Sequence, residues 1–346
     1  MHTPALETLT RQFVTPDHWG DATPIGSGHI NDTYRVRFEK NNRVEVLLLQ
    51  RLNHQVFTQP QLVMDNMEKI ALYLSKGSYP LRVPAPMKTL KGQLLQQDEQ
   101  GNYWRMMPFY ENTYVPEGPS NAAIALEAAQ AYGAFARALR YFPAHELAET
   151  IPGFHDTDRR WTLFLKTIEA DPVGRVQMVQ DEIKAMYSLK PLFDQISRMK
   201  KNGTLPLRVT HNDTKAGNIL LDQSSHQAVA VIDWDTVMPG TILSDFGDMI
   251  RTFAPNEAED ASIEHLAIRP DLIQAIKTGF LSQTADFMTP TELEYLNAGG
   301  QWITGEQALR FLTDYIAGDT YYKVKYPEHN LVRARNQIAL AQLLES

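Results

Sequence analysis

Residues Thr210 to Asp235 read THNDTKAGNILLDQSSHQAVAVIDWD. The stretch opens on a polar loop, His211-Asn212-Asp213-Thr214-Lys215-Ala216-Gly217-Asn218, in which a carboxylate is followed by a lysine two residues on and by an amide five residues on. Two short apolar runs follow, Ile219–Leu221 and Ala228–Ile232, joined by a polar turn over 222–227. Apolar runs of this length bounded by turn residues read as strands. Two strands joined by a tight turn bring their far ends together, so the pattern predicts Asn218 and Asp233 on one rim, with Asp213 on the loop beside it. A surface hairpin accounts for a lone HND. It does not account for the succession of loop, strand, turn, strand and a closing IDWD.

Phosphoryl transfer calls for such a set. One carboxylate takes the acceptor's hydroxyl proton, and an amide oxygen and a second carboxylate hold magnesium on the phosphates. Magnesium keeps several waters and needs only one or two protein oxygens. Lys215 offsets charge on the transferred group. The stretch offers two carboxylates, Asp213 and Asp233, and one amide, Asn218, for these roles, with Lys215 able to reach the transferred phosphoryl group.

The rest of the chain fits around this segment. Residues 21–110 read mostly as strands. Thr33–Phe38 and Val44–Leu49 flank the turn Glu39-Lys40-Asn41-Asn42, and Gln93–Gln97 and Tyr103–Met107 flank a second turn. Between these hairpins, Pro60–Leu74 has helical spacing of its apolar residues. After residue 115 the helical period takes over: a helix capped by Ser120 or Asn121 and running to about Phe142, then Arg159–Ala170, Asp181–Lys200 and most of 257–346. Strands first and helices later predict an α+β protein, a small antiparallel-sheet lobe over 1–110 and a helical lobe over 111–346. The stretch Met107–Pro116 is the expected hinge.

Composition narrows the functions. Of 346 residues, 33 are Lys or Arg and 41 are Asp or Glu, a net charge of -8. A nucleic-acid surface, which needs clustered basic residues, is not expected. There is no cysteine, so disulfides, thiolate metal sites and cysteine nucleophiles are excluded. No apolar run is long enough to span a membrane, and the opening MHTPALETLTRQF lacks the pattern of a secretory signal. A cytoplasmic protein is the expectation.

The loop and the strand after it resemble the catalytic loop and metal-binding strand of the aminoglycoside phosphotransferase and choline kinase superfamily, which has a two-lobed protein-kinase-like fold. Further blocks carry the resemblance toward bacterial N-acetylhexosamine 1-kinases: GSGHINDTY (Gly26–Tyr34), LLLQRLNHQVF (Leu47–Phe57), MDNMEKI (Met64–Ile70), IDWDTVMPGTILSDFGDMIR (Ile232–Arg251) and RFLTDYIAGDTYYKV (Arg310–Val324). The resemblance implies Asp213 as base and Asn218 and Asp233 as magnesium ligands. It also implies ATP as cofactor and phosphorylation of the anomeric hydroxyl of GlcNAc or GalNAc. Kinases of another sugar, choline, homoserine or an aminoglycoside stay open, as does a non-catalytic nucleotide-binding module of the same fold.

Further site residues follow from that resemblance. Gly26, Gly28 and Asn31 belong to a glycine turn whose amides can cover phosphates. No glycine pattern of the dinucleotide-binding or P-loop kind is present. The third strand ends Leu49-Gln50-Arg51, and either Gln50 or Arg51 faces the nucleotide, because neighbours on a strand point opposite ways. Glu68, with Asp65 second to it, is the candidate helix carboxylate. Met107 and Phe109 are the expected adenine contacts. Arg310 and Tyr321 are the expected acceptor contacts, although Arg310 and Asp314, four apart on a helix, can equally pair with each other. Asp245 reads as a structural carboxylate that braces the catalytic loop or caps a helix.

Overall fold

The structure is a computed structural model that describes residues 3–25, 31–118 and 121–345. In chain order the elements are α1 (Thr3–Thr10), β1 (His18–Pro24), β2 (Asp32–Lys40), β3 (Arg43–Leu52), α2 (Pro60–Ser75), β4 (Gln96–Gln97), β5 (Tyr103–Pro108), β6 (Thr113–Tyr114), α3 (Ala122–Ala138), α4 (Thr157–Ala170), α5 (Gln180–Lys201), β7 (Arg208–Thr210), β8 (Ile219–Asp222), β9 (Ala228–Val231), β10 (Met238–Gly240), α6 (Ile242–Phe253), α7 (Pro270–Thr284), α8 (Pro290–Glu294), α9 (Leu296–Ile316) and α10 (His329–Leu343). The protein is α+β. Its packing divides into two compact units, one of residues 1–114, 146–152 and 220–238, the other of 115–145, 153–219 and 239–346. To the single boundary expected near residue 110 the packing adds two later returns of the chain to the first unit.

The first unit is built on a five-stranded antiparallel sheet in the order β1-β2-β3-β5-β4. Asn41 and Asn42 both take positive φ, 51° and 59°, at the turn between β2 and β3. That backbone gives a two-residue hairpin the twist its strands need, and asparagine tolerates it. Alternation along β5 sorts its side chains to two faces. Trp104 and Met106 join Val36, Phe38 and Leu49 in a core closed by α1 and the turn after it, through Leu6, Leu9, Phe13 and Val14. Arg105, on the other face, reaches Met64 and Met67 of α2. Gly20 sits at a bulge in β1, where a Cβ would lie 2.6 Å from the Arg37 carbonyl oxygen.

The second unit is helical. In α3, Asn121 accepts the Ile124 amide at 3.0 Å as the N-cap; Ser120, the other expected cap, lies outside the described residues. Helices α6 and α9 cross with almost nothing between their backbones. A Cβ on Gly247 would stand 2.2 Å from the Gly299 carbonyl oxygen, and one on Gly299 2.6 Å from the Leu243 carbonyl oxygen. Only glycine permits that approach. No helix of the described residues is long and apolar enough to cross a membrane.

Candidate active site

The candidate catalytic loop follows β7 and is fixed from the first half of α6. Asp245 accepts the His211 amide at 2.9 Å and the Asn212 amide at 2.8 Å, one on each carboxylate oxygen. Its backbone carbonyl takes the Thr214 hydroxyl at 2.7 Å. One turn on, Asp248 accepts the Thr214 amide at 2.8 Å and, on its other oxygen, Arg251 at 2.9 Å. The Tyr132 hydroxyl donates to the Lys215 carbonyl at 2.8 Å, and the Tyr132 ring meets the His211 ring edge-on at 5.4 Å. Three loop amides, those of His211, Asn212 and Thr214, thus end on two buried carboxylates. Burial pushes the Asp245 carboxyl up to about 6, aided by the neighbouring Asp248 charge and opposed by the two amides.

This frame leaves the Asp213 side chain partly open, at 27% exposure. Its Oδ2 accepts Lys215 Nζ at 2.8 Å and Asn218 Nδ2 at 2.8 Å. Its Oδ1 has no hydrogen bond from the described residues. Burial would raise this carboxyl, but the charge and hydrogen bond of Lys215, with His211 and Asn218, outweigh it and hold the group below its ordinary range. Asn218 spends its amide nitrogen on Asp213, donating also to the backbone carbonyl at 2.8 Å. The amide oxygen is therefore the atom turned away from Asp213, as a metal ligand needs.

Asp213 borders a cavity of about 170 Å³ within the helical unit. Arg310 of α9 lines it, with its guanidinium 5.5 Å from the Phe154 ring and 5.6 Å from the Tyr322 ring. Gln307 accepts one Arg310 N–H at 3.0 Å, and Arg310 Nε is buried without a partner. Arg310 does not pair with Asp314. That carboxylate is taken by the amides of Thr320, Tyr321 and Tyr322 at 2.8–2.9 Å and by Asn330 at 2.9 Å. Tyr321 is 64% exposed and does not line the cavity. Tyr322 lines it instead, because the chain after α9 is irregular and offers no period from which to tell neighbouring tyrosines apart. The carboxylates in the wall are already occupied: Glu259 by Arg251 at 2.8 Å, Asp248 as above, and Glu306 by His155 at 2.8 Å and Thr157 at 2.6 Å.

The sheet unit holds the remaining candidates. Asp233 follows β9 with a left-handed backbone, φ 61°. Two residues on, Asp235 is 2% exposed and has both oxygens engaged, by Arg105 at 2.5 Å and by Asn31 at 2.8 Å. Arg105 also reaches the Gln50 side-chain oxygen at 2.8 Å. Asn31 returns its own oxygen to the Asn53 amide at 2.9 Å. Asn31 and Gln50 thus both belong to the network around a buried arginine. Arg51 pairs with Asp32, and Glu68 pairs with Lys88 at 2.8 Å, both near the surface. Among the described residues, the buried cation and carboxylate of this unit are Arg105 and Asp235, neither of which stood out in the sequence. The available signals were a charge inside the apolar strand WRMMP and an aspartate at period two after Asp233. Met107 is buried, and Phe109 is half-buried with the Arg35 guanidinium 5.7 Å from its ring. Gly26 and Gly28 lie outside the described residues.

Oxygen donors dominate the candidate metal residues, as magnesium prefers. Asp235, Asp245 and Asp248 each have protein donors on both oxygens.

Residues 21–274 match the model of the phosphotransferase enzyme family. The chain belongs to that family. Solved structures show its fold elsewhere. A spectinomycin phosphotransferase in complex with ADP and spectinomycin is 15% identical, covers 100% of this chain and 99% of its own, and superposes with a TM-score of 0.55. A microcompartment-associated aminopropanol kinase is 17% identical, with 98% and 96% covered and a TM-score of 0.62. A choline kinase from Cryptosporidium parvum is 13% identical, with 98% and 95% covered and a TM-score of 0.57. The fold is accordingly protein-kinase-like.

Proposed function

We propose that this chain transfers a phosphoryl group from ATP, with magnesium, to a hydroxyl of a small neutral acceptor, and that the anomeric hydroxyl of an N-acetylhexosamine, GlcNAc or GalNAc, suits it best. The product is the sugar 1-phosphate. One observation carries the choice of acceptor. The cavity beside Asp213 presents a guanidinium with an unpaired N–H, that of Arg310, while its carboxylates other than Asp213 are bound by protein donors. A cationic acceptor such as choline or an amino alcohol needs an uncompensated anion, and an unpaired buried N–H needs an acceptor oxygen. The acetamido carbonyl supplies that oxygen. The volume of about 170 Å³ suits one small ring; pockets for drug-sized ligands run to roughly 300–1,000 Å³.

Asp213 then takes the acceptor proton through Oδ1, the oxygen without a protein partner. A carboxyl held below its ordinary range is a weak base. The anomeric hydroxyl is the most acidic on a sugar, so the pairing is chemically consistent. Lys215 holds the other oxygen and orients the group. Asn218 and Asp233 are the proposed oxygen ligands of magnesium, which when bound neutralises phosphate charge. Met107 and Phe109 remain the proposed adenine contacts.

The test is an ADP-release assay across sugars and amino alcohols, with the phosphorylated carbon located by NMR. The expected result is turnover of N-acetylhexosamines at C1, and a fall in kcat of about 100- to 10,000-fold for Asp213→Asn. Turnover of amino alcohols alone, or near-normal kcat for that variant, would overturn the reading.

A further inference from the structure

His155 lines the same cavity as Asp213 and Arg310, and the chemistry above gives it no task. Its ring is held from several sides. Nδ1 lies 2.8 Å from Glu306 Oε1. Glu306 Oε2 takes the Thr157 hydroxyl at 2.6 Å, and that hydroxyl takes the Trp302 indole N–H at 2.9 Å. The Phe154 ring lies 4.6 Å from the imidazole centroid and the Trp302 ring 6.1 Å. Lys200 fixes the backbone by donating to the His155 carbonyl at 2.7 Å.

Glu306 is 1% exposed. Burial would raise its carboxyl, but His155, Thr157 and Arg160 outweigh it and hold it at about 2. It is therefore a carboxylate and can only accept. The hydrogen of Nδ1 faces it, which sets the tautomer. The other ring nitrogen, Nε2, is buried with no hydrogen-bond partner. An unmet buried polar group costs about 1–3 kcal/mol, and here it sits on a ring that Glu306, Phe154 and Trp302 keep in place.

We propose that His155, held by Glu306, is a specificity-determining residue whose Nε2 hydrogen-bonds a second, non-reacting hydroxyl of the acceptor. The inference rests on the reading that this cavity takes the acceptor. A hydroxyl suits the position because it both gives and takes a hydrogen, and so satisfies the ring whether Nε2 carries a proton or not. A carbonyl or an ammonium satisfies only one of those states. The substrate class is then a polyol with one hydroxyl for Asp213 and another for His155. A mono-alcohol fills only half of the arrangement.

The experiment compares the best sugar acceptor with its singly deoxygenated analogues, in the full chain and in His155→Ala. In the unmodified protein one analogue is expected to lose roughly 10- to 100-fold in kcat/KM, mostly through KM. In His155→Ala that analogue and the parent should differ by less than about threefold, while the penalties for the other analogues and the KM for ATP stay as they were. His155→Gln, which places an amide near the Nε2 position, should restore part of the discrimination, and it serves as the second variant if the alanine form does not fold. Equal penalties for every analogue in the unmodified and variant proteins would overturn the assignment of His155 alone. Turnover of mono-hydroxyl amines with no turnover of any polyol would overturn the acceptor reading and this inference together.

Discussion

Replacing Asp245 by asparagine isolates the cost of clamping the catalytic loop with a buried charge. In the fold this carboxyl titrates at about 6, against an ordinary 3.8. At about 1.4 kcal/mol per pH unit the gap is worth about 3 kcal/mol. The sign follows from which state binds the proton more tightly. Below pH 3.8 the group is protonated in both the folded and the unfolded chain, and the fold bears no penalty. As pH rises toward 6 the unfolded chain ionises first, so stability falls through that window and stays lower above it. Asp245→Asn has no such titration. It keeps one oxygen for one of the two amides, but its own N–H₂ faces the other, leaving a buried donor unmet at about 1–3 kcal/mol. Near pH 8 that loss and the removed charge penalty largely cancel, and the variant should lie within about 2 kcal/mol of the unmodified protein. Near pH 4, where the unfolded carboxyl is already partly ionised, it should be less stable by about 2.5 kcal/mol more than at pH 8. Urea unfolding at a series of pH values measures the difference, in which every other titrating group common to both proteins drops out. A difference that does not change between pH 4 and pH 8 would refute the argument.

Two further outcomes are expected. Lys215→Met removes the charge that holds the Asp213 carboxyl low, so the acid limb of the kcat/KM profile should move to higher pH; a limb that stays in place would clear Lys215 of that role. Asp235→Ala leaves the Arg105 guanidinium buried at 1% exposure without its carboxylate, and breaking such a pair costs about 3–5 kcal/mol; a loss below about 1 kcal/mol on urea unfolding would mean the pair is dispensable.

What could be seen in the sequence was whatever depends on neighbours along the chain. The β2–β3 hairpin shows in the Asn41-Asn42 turn, α2 in its apolar spacing, and the catalytic loop in the order of Asp213, Lys215 and Asn218. What depends on distant partners was hidden. Helix α1 is short, and its Leu6 and Leu9 read as core only once the sheet face of Trp104 and Met106 exists to receive them. The stretch expected as strands from residue 21 overlaps β1, but its start at His18 is hidden by a bulge at Gly20 that breaks the alternation. Arg105 looked like a polar interruption of a strand, because its partner lies 130 residues away. The cavity beside Asp213 suffers most: His155 and Glu306 are 151 residues apart, and neither carries a motif. Tyr322 takes the place expected for Tyr321 in a segment without regular structure.

The contact between Gly247 and Gly299 joins the helix that carries Asp245 and Asp248 to the helix that carries Glu306 and Arg310. With main chain against main chain, no side chain there can compress or rotate to change the spacing. The loop that carries Asp213, clamped by α6, and the cavity residues on α9 thus share one backbone contact as their reference. On the proposed reading, exchange of cavity residues on α9 would alter recognition and leave that contact in place.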